Sequence, residues 1–256
     1  MSTKRRKRTK TVVINERDRE LFNYLYEVKV ATQEQISRDV YKGVTKTVVY
    51  RRLKKLIHMK YLKRSLYFNG TRAISAYSLS KTGLRVFIFN NKSDEYAIKR
   101  CLSDSIEHDI ILNDIRQRLL SCDEVKDYYS ENVLASNASI VEDKKFKGFK
   151  KMHSDGMIFL QKGDEVFHLA VEYEHTLKYA KRYERLFFDY RFESDITAIL
   201  YICRDKKVLK RVKEAELKET KGENQKTFFA LVDDILAAKG ALKFKTSDDK
   251  RTLSIS

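Results

Sequence analysis

The chain has no proline and no tryptophan, and only 8 glycines and 3 cysteines in 256 residues. Without proline or a Gly/Ser-rich stretch, no linker or low-complexity segment marks a place to cut it. Cys101, Cys122 and Cys203 are odd in number and form no CxxC pair. A disulfide framework and a thiolate zinc site are thereby excluded, and the three read as reduced, structural thiols. Apolar runs are short, the longest strand-like one being Ile196 to Cys203, against the roughly 20 residues of a membrane helix. The basic start is not followed by an apolar signal segment, so a soluble, cytoplasmic protein with no membrane partner is expected. Gly-rich phosphate loops, nucleophile elbows and paired Cys/His zinc patterns are missing too.

Acidic residues are scarce only at the front. Residues 1–92 hold 23 Lys/Arg against 6 Asp/Glu, whereas residues 93–256 hold 30 of each, so the net charge of +17 lies entirely in the first third. A break of this kind marks two units with different partners, the basic one suited to a polyanion such as double-stranded DNA. Residues 1–14 form a basic arm in which KRRKRTK, with Arg5 and Arg6, can lie along phosphates or enter a minor groove.

From Asn15 the pattern turns helical. Asn15 caps a helix with Glu16 and Asp18 in its first turn and Leu21, Phe22, Leu25 and Val28 on one stripe. Thr32 and Gln35 make a capping box for a short second helix through Ile36 to Val40. A third helix from about Thr45 buries Val49, Leu53, Leu56 and Ile57 and turns Lys46, Thr47, Tyr50, Arg51 and Lys54 outward. Such a face can reach base edges, with Tyr50 and Arg51, and flanking phosphates, with Lys46 and Lys54. Strands at Tyr61–Arg64 and Ala73–Leu79 flank the turn dipeptide Asn69-Gly70, placing Lys63 and Arg72 on a hairpin within reach of the DNA backbone. YLKR, the hairpin and YSLSKTGLRVF resemble bacterial winged-helix domains.

After a linker at 93–102, residues 103–245 alternate helices and strands. Helices are expected at Ser103–Leu120, Thr176–Phe192 and Lys206–Leu217. Strands are expected at Val125–Leu134, Met152–Leu160, Glu165–Glu174, Asp195–Cys203 and Lys226–Val232. That order implies an α/β domain with a mixed sheet, and residues 246–256 are expected as a flexible tail. In HLAVEYE, period-two alternation puts His168, Ala170, Glu172 and Glu174 on one face. Asp155 lies on the preceding strand, 17 positions before Glu172, and the three acids are expected to cluster at one edge of the sheet. This spacing resembles the PD-(D/E)XK nuclease fold, whose acids hold Mg²⁺. Asp155 and Glu172 are then the candidate metal ligands, and Asp155, Glu172, Glu174 and Lys178 the candidate catalytic set. Glu174 stands where that pattern has lysine, and Lys178 lies one helical turn on. His108, on an apolar stripe with Leu112, Ile115 and Leu119, reads as a half-buried histidine bonded to the sheet.

In order, RRLKKLIHMKYLKR, YSLSKTG, EHDIILNDI, HSDGMIFL and VEYEHTLKYAKRY resemble the replication-relaxation proteins of plasmids, integrative elements and phages, from near Glu16 to Tyr183. Ser154 replaces the proline, and Glu174 the aspartate, that this family tends to have. The resemblance implies a DNA-binding accessory protein for replication, relaxation or mobilisation, with a nuclease-like second domain and a relaxase or replication initiator as partner. Three functions stay open: that accessory factor, which requires no cofactor; a Mg²⁺-dependent nuclease or nickase; and a winged-helix transcription regulator whose second domain senses a ligand or forms a homodimer.

Overall fold

A computed structural model describes residues 13–92, 95–135, 146–221 and 225–256. The chain divides into two compact units between Asp104 and Ser105. The arm residues Arg5 and Arg6 lie outside the described residues.

In the first unit, α1 (Glu16–Val28) is capped reciprocally by Asn15 and Asp18 and buries Leu21, Phe22, Leu25 and Val28. Thr32 and Gln35 form the expected capping box of α2 (Gln33–Asp39). The third helix, α3 (Lys46–His58), buries Val49, Leu53 and Leu56. Strands β2 (Leu62–Asn69) and β3 (Arg72–Leu79) pair antiparallel along their whole length. They run longer than expected, and the turn is Gly70-Thr71 rather than Asn69-Gly70, with Gly70 at φ +62°. Glycine adopts that left-handed conformation without a steric cost.

A strand of three residues, β1 (Val30–Thr32), joins β3 to give the order β1-β3-β2. It is too short to show periodicity in the sequence. After β3 the chain makes α4 (Lys81–Gly83), which continues as a π-helical stretch over Leu84–Ile88. Gly83 packs against the Tyr61 carbonyl where no Cβ would fit. The expected linker at 93–102 is corrected: α5 (Glu95–Arg100) occupies it and buries Ile98 in the core with Leu21, Leu25 and Leu84. A single buried residue made no visible stripe.

The second unit is a seven-stranded mixed sheet in the order β10-β9-β8-β7-β6-β5-β4. Its strands are β4 (Val125–Ser130), β5 (Gly156–Lys162), β6 (Glu165–Glu174), β7 (Ala198–Cys203), β8 (Thr227–Leu231), β9 (Leu242–Lys245) and β10 (Thr252–Ile255). As the hairpin and crossover pattern implied, β5–β6 is antiparallel, and β6, β7 and β8 run parallel through α9 (Ala180–Arg191) and α10 (Lys206–Thr220).

Two apolar layers sandwich the sheet. On one face Ile115 and Leu119 of α6 (Ile106–Leu120) and Ile235 of α11 (Val232–Ala237) pack on Ile158, Val171, Leu200 and Phe244. On the other, Phe149 of α8 (Lys147–Met152), Tyr183 and Phe187 of α9, and Val212 of α10 pack on Ala170, Ile199 and Tyr201. The strand expected through Leu134 stops at Ser130, where α7 (Glu131–Ala135) begins. The one expected from Met152 starts only at Gly156, after α8 and a left-handed His153 at φ 53°. The expected flexible tail is corrected as well. Within it β10 pairs with β9 in full register, and Ile255 is fully buried. Among the described residues no helix is long and apolar enough to cross a membrane.

Candidate functional site

Helix α3 carries one face outward. Its buried stripe at Val49, Leu53 and Leu56 fixes the helix rotation, so Lys46, Thr47, Tyr50, Arg51 and Lys54 are all exposed. Lys46 Nζ lies 3.2 Å from Glu34 Oε1, but both side chains are over 70% exposed, and a pair so wet contributes little. Lys63 and Arg72 are exposed on the hairpin. The neighbouring arginines of α3 have opposite fates. Arg51 faces out, whereas Arg52 turns inward and holds the fully buried Asp18, with Nε 2.7 Å from Oδ1 and a second bond from Nη2 to Oδ2. Arg52 thus pins α3 to the first turn of α1. Nothing local distinguishes the two arginines except phase, one residue being 100° of helix.

In the second unit the three acids meet at the carboxyl-terminal end of β6, an interior strand, and not at an edge of the sheet. Asp155 directly precedes β5, whose Gly156 pairs with Val171. Its Oδ2 accepts the Tyr173 N–H at 2.8 Å. From α6, His108 Nε2 stands 3.5 Å from the same oxygen and 3.2 Å from the Tyr173 carbonyl, while Nδ1 is 3.0 Å from Asp109 Oδ1. Burial disfavours charge on His108, but the Asp109 and Asp155 carboxylates outweigh it and hold the imidazole up to about 10. His108 therefore bonds to the sheet as its stripe suggested. Its contact with Asp155, 47 positions away, had no sequence signal.

Glu172 and Glu174 do share a face. Glu172 accepts the Tyr190 hydroxyl of α9, which also bonds Ser154 Oγ at 2.7 Å. Burial, and then the adjacent Asp155 charge, push the Glu172 carboxyl well above the usual carboxylate range. Glu174, 3% exposed, pairs with Lys178 Nζ at 2.9 Å and accepts the Tyr201 hydroxyl at 3.1 Å. Tyr183 hydroxyl accepts the Lys178 N–H at 2.9 Å and so fixes that turn. Further along, Lys181, Arg182 and Arg185 of α9 are exposed.

A divalent cation needs several ionised oxygens turned toward one point. Here Asp155 Oδ2 is engaged by a backbone N–H and faces an imidazolium, Glu172 is held toward its protonated form, and Glu174 is neutralised by Lys178. Among the described residues no three His, Cys, Asp or Glu side chains are placed to hold a metal ion.

A family model described as replication-relaxation matches residues 22–191, about two thirds of the chain. No curated protein matches. Two solved structures of the restriction endonuclease FokI, one of them bound to DNA, align at 14% and 12% identity. Each alignment covers 85% of this chain and 43% of the endonuclease chain, with TM-scores of 0.24 and 0.23, too loose to establish a common fold. The chain thus spans less than half the length of those endonuclease chains.

Proposed function

The chain belongs to the replication-relaxation family, and on that premise we propose that it is a sequence-specific DNA-binding accessory protein in the replication, relaxation or mobilisation of a plasmid or other mobile element. The observation that carries this reading is the outward face of α3, where five polar or basic side chains stand exposed opposite a fully buried apolar stripe. The element order and the β1-β3-β2 sheet support reading the first unit as a winged helix, with α3 in the major groove. In that pose Tyr50 and Arg51 meet base edges, while Lys46, Lys54, Lys63 and Arg72 meet phosphates. The exposed Lys46–Glu34 pair exchanges for a phosphate contact at little cost. Arg5 and Arg6 follow the backbone beyond the helix.

The second unit is read as a nuclease-like domain that works without cleavage, in the cytoplasm, beside a relaxase or replication initiator. The engaged acids favour this over a Mg²⁺-dependent enzyme. Fluorescence anisotropy of the full chain on duplex DNA at several salt concentrations tests the proposal. Affinity should fall steeply with salt, because each phosphate contact releases counterions. Arg51→Ala should relax sequence preference and cost about 1–3 kcal/mol at a preferred site, and Lys54→Ala should weaken all sequences alike. A flat salt response refutes DNA binding, and equal loss on preferred and random DNA refutes the role of Arg51.

A further inference from the structure

The β2–β3 hairpin exposes large apolar side chains where a solvated strand would carry polar ones. Leu66 is 55% exposed and Phe68 66%. They stand at i and i+2 on β2, so they share one face with Arg64 and with their cross-strand partners Ser75 and Ala73. At the base of that face Arg64 pairs with Tyr77, which is buried in the core of the unit. The exposed apolar face thus runs along β2 from Leu66 to Phe68, next to Arg64.

We propose that Leu66 and Phe68 form a wedge that enters the minor groove beside the major groove occupied by α3, partly unstacks a base step and bends the duplex. This rests on the DNA-binding reading above and adds to it a mode of contact and a deformation. Charge selects DNA as the occupant. The apolar pair shares its face with Arg64, and residues 1–92, which include the hairpin, carry all of the chain's net charge of +17. Length agrees. An eight-residue strand extends about 26 Å at about 3.3 Å per residue, beyond the roughly 17 Å of half a DNA turn. Inserted apolar side chains unstack steps at a few kcal/mol and bend DNA toward the major groove, and flexible TA and CA steps yield most readily. The wedge would thus add a preference at base pairs that α3 never touches.

The test is ligase-catalysed circle formation from a linear duplex of about 100 base pairs, shorter than the persistence length of about 150, which closes poorly unless bent. The full-length wild type should promote closure, and a Leu66→Ser/Phe68→Ser variant should lose at least about tenfold of the circle yield. The variant should keep the circular dichroism spectrum and the salt-dependent anisotropy of the wild type, both of which a misfolded protein would lose. Wild-type binding without circles, or equal circles from the variant, overturns the wedge and leaves the role of α3 standing. Absence of DNA binding by the wild type overturns both. Dissociation of a wild-type dimer by the double substitution, seen by sedimentation, would make a second copy the occupant and overturn the proposal.

Discussion

Removing Arg52 should cost more stability than removing the charge of Asp18, although each deletes the same ion pair. Asp18 is fully buried, and its carboxylate accepts both Arg52 bonds and the Asn15 N–H at 2.9 Å. The Arg52 side chain keeps 19% of its surface in water. Arg52→Met therefore strands a carboxylate that cannot reach solvent, left with the Asn15 N–H and the nearby buried Tyr41 hydroxyl. Asp18→Asn strands only a guanidinium that can turn outward. Breaking a buried pair from the fully desolvated side costs about 3–5 kcal/mol, so about 4 is expected for Arg52→Met. Losing two charge-assisted bonds while the cation rehydrates should cost about 2 for Asp18→Asn. The double variant leaves no unpaired charge and should cost about 3, giving a coupling of about 3 kcal/mol. Urea unfolding followed by circular dichroism measures all four corners of the cycle. Additive losses, or a larger loss for Asp18→Asn than for Arg52→Met, would refute the reasoning.

Gly156→Ala should destabilise the second unit by about 1–3 kcal/mol, because its Cβ would overlap the Tyr128 side chain, and a neutral thermal melt would contradict that close approach. Burial pushes Glu216 from 4.5 up to about 6, against the Ser247 bond, with Asp248, Arg251 and Lys213 as its charged neighbours. A carboxyl raised in the folded state costs nothing below pH 4.5. Its penalty grows through pH 6 to about 2 kcal/mol. The wild type should therefore lose that much between pH 4.5 and 7.5, and Glu216→Gln should not; superimposable pH profiles would refute the assignment. Purified protein incubated with supercoiled or single-stranded DNA in Mg²⁺ or Mn²⁺ should leave both intact. Nicking that disappears in Asp155→Ala would instead make the second unit an enzyme.

What the sequence determined by itself was whatever lies within one turn or one hairpin. The Asn15 and Thr32 caps, the apolar stripes of α1 and α3, and the alternation that puts Glu172 and Glu174 on one face are set by near neighbours, so their periodicity was readable. Short pieces were not. Three residues of β1, one buried side chain in α5 and four residues each of β9 and β10 carry too little pattern, and they form because neighbouring strands and cores complete them. Tertiary structure also decided which charges are spent internally. Arg52 goes to Asp18, 34 positions away, and His108 to Asp155, while Glu174 takes Lys178 and Tyr201. Arg51, one step of helix from Arg52, stays free to face a partner. Composition fixes how many charges a chain holds, but only the fold sets their separation and burial, on which the energy of each pair depends.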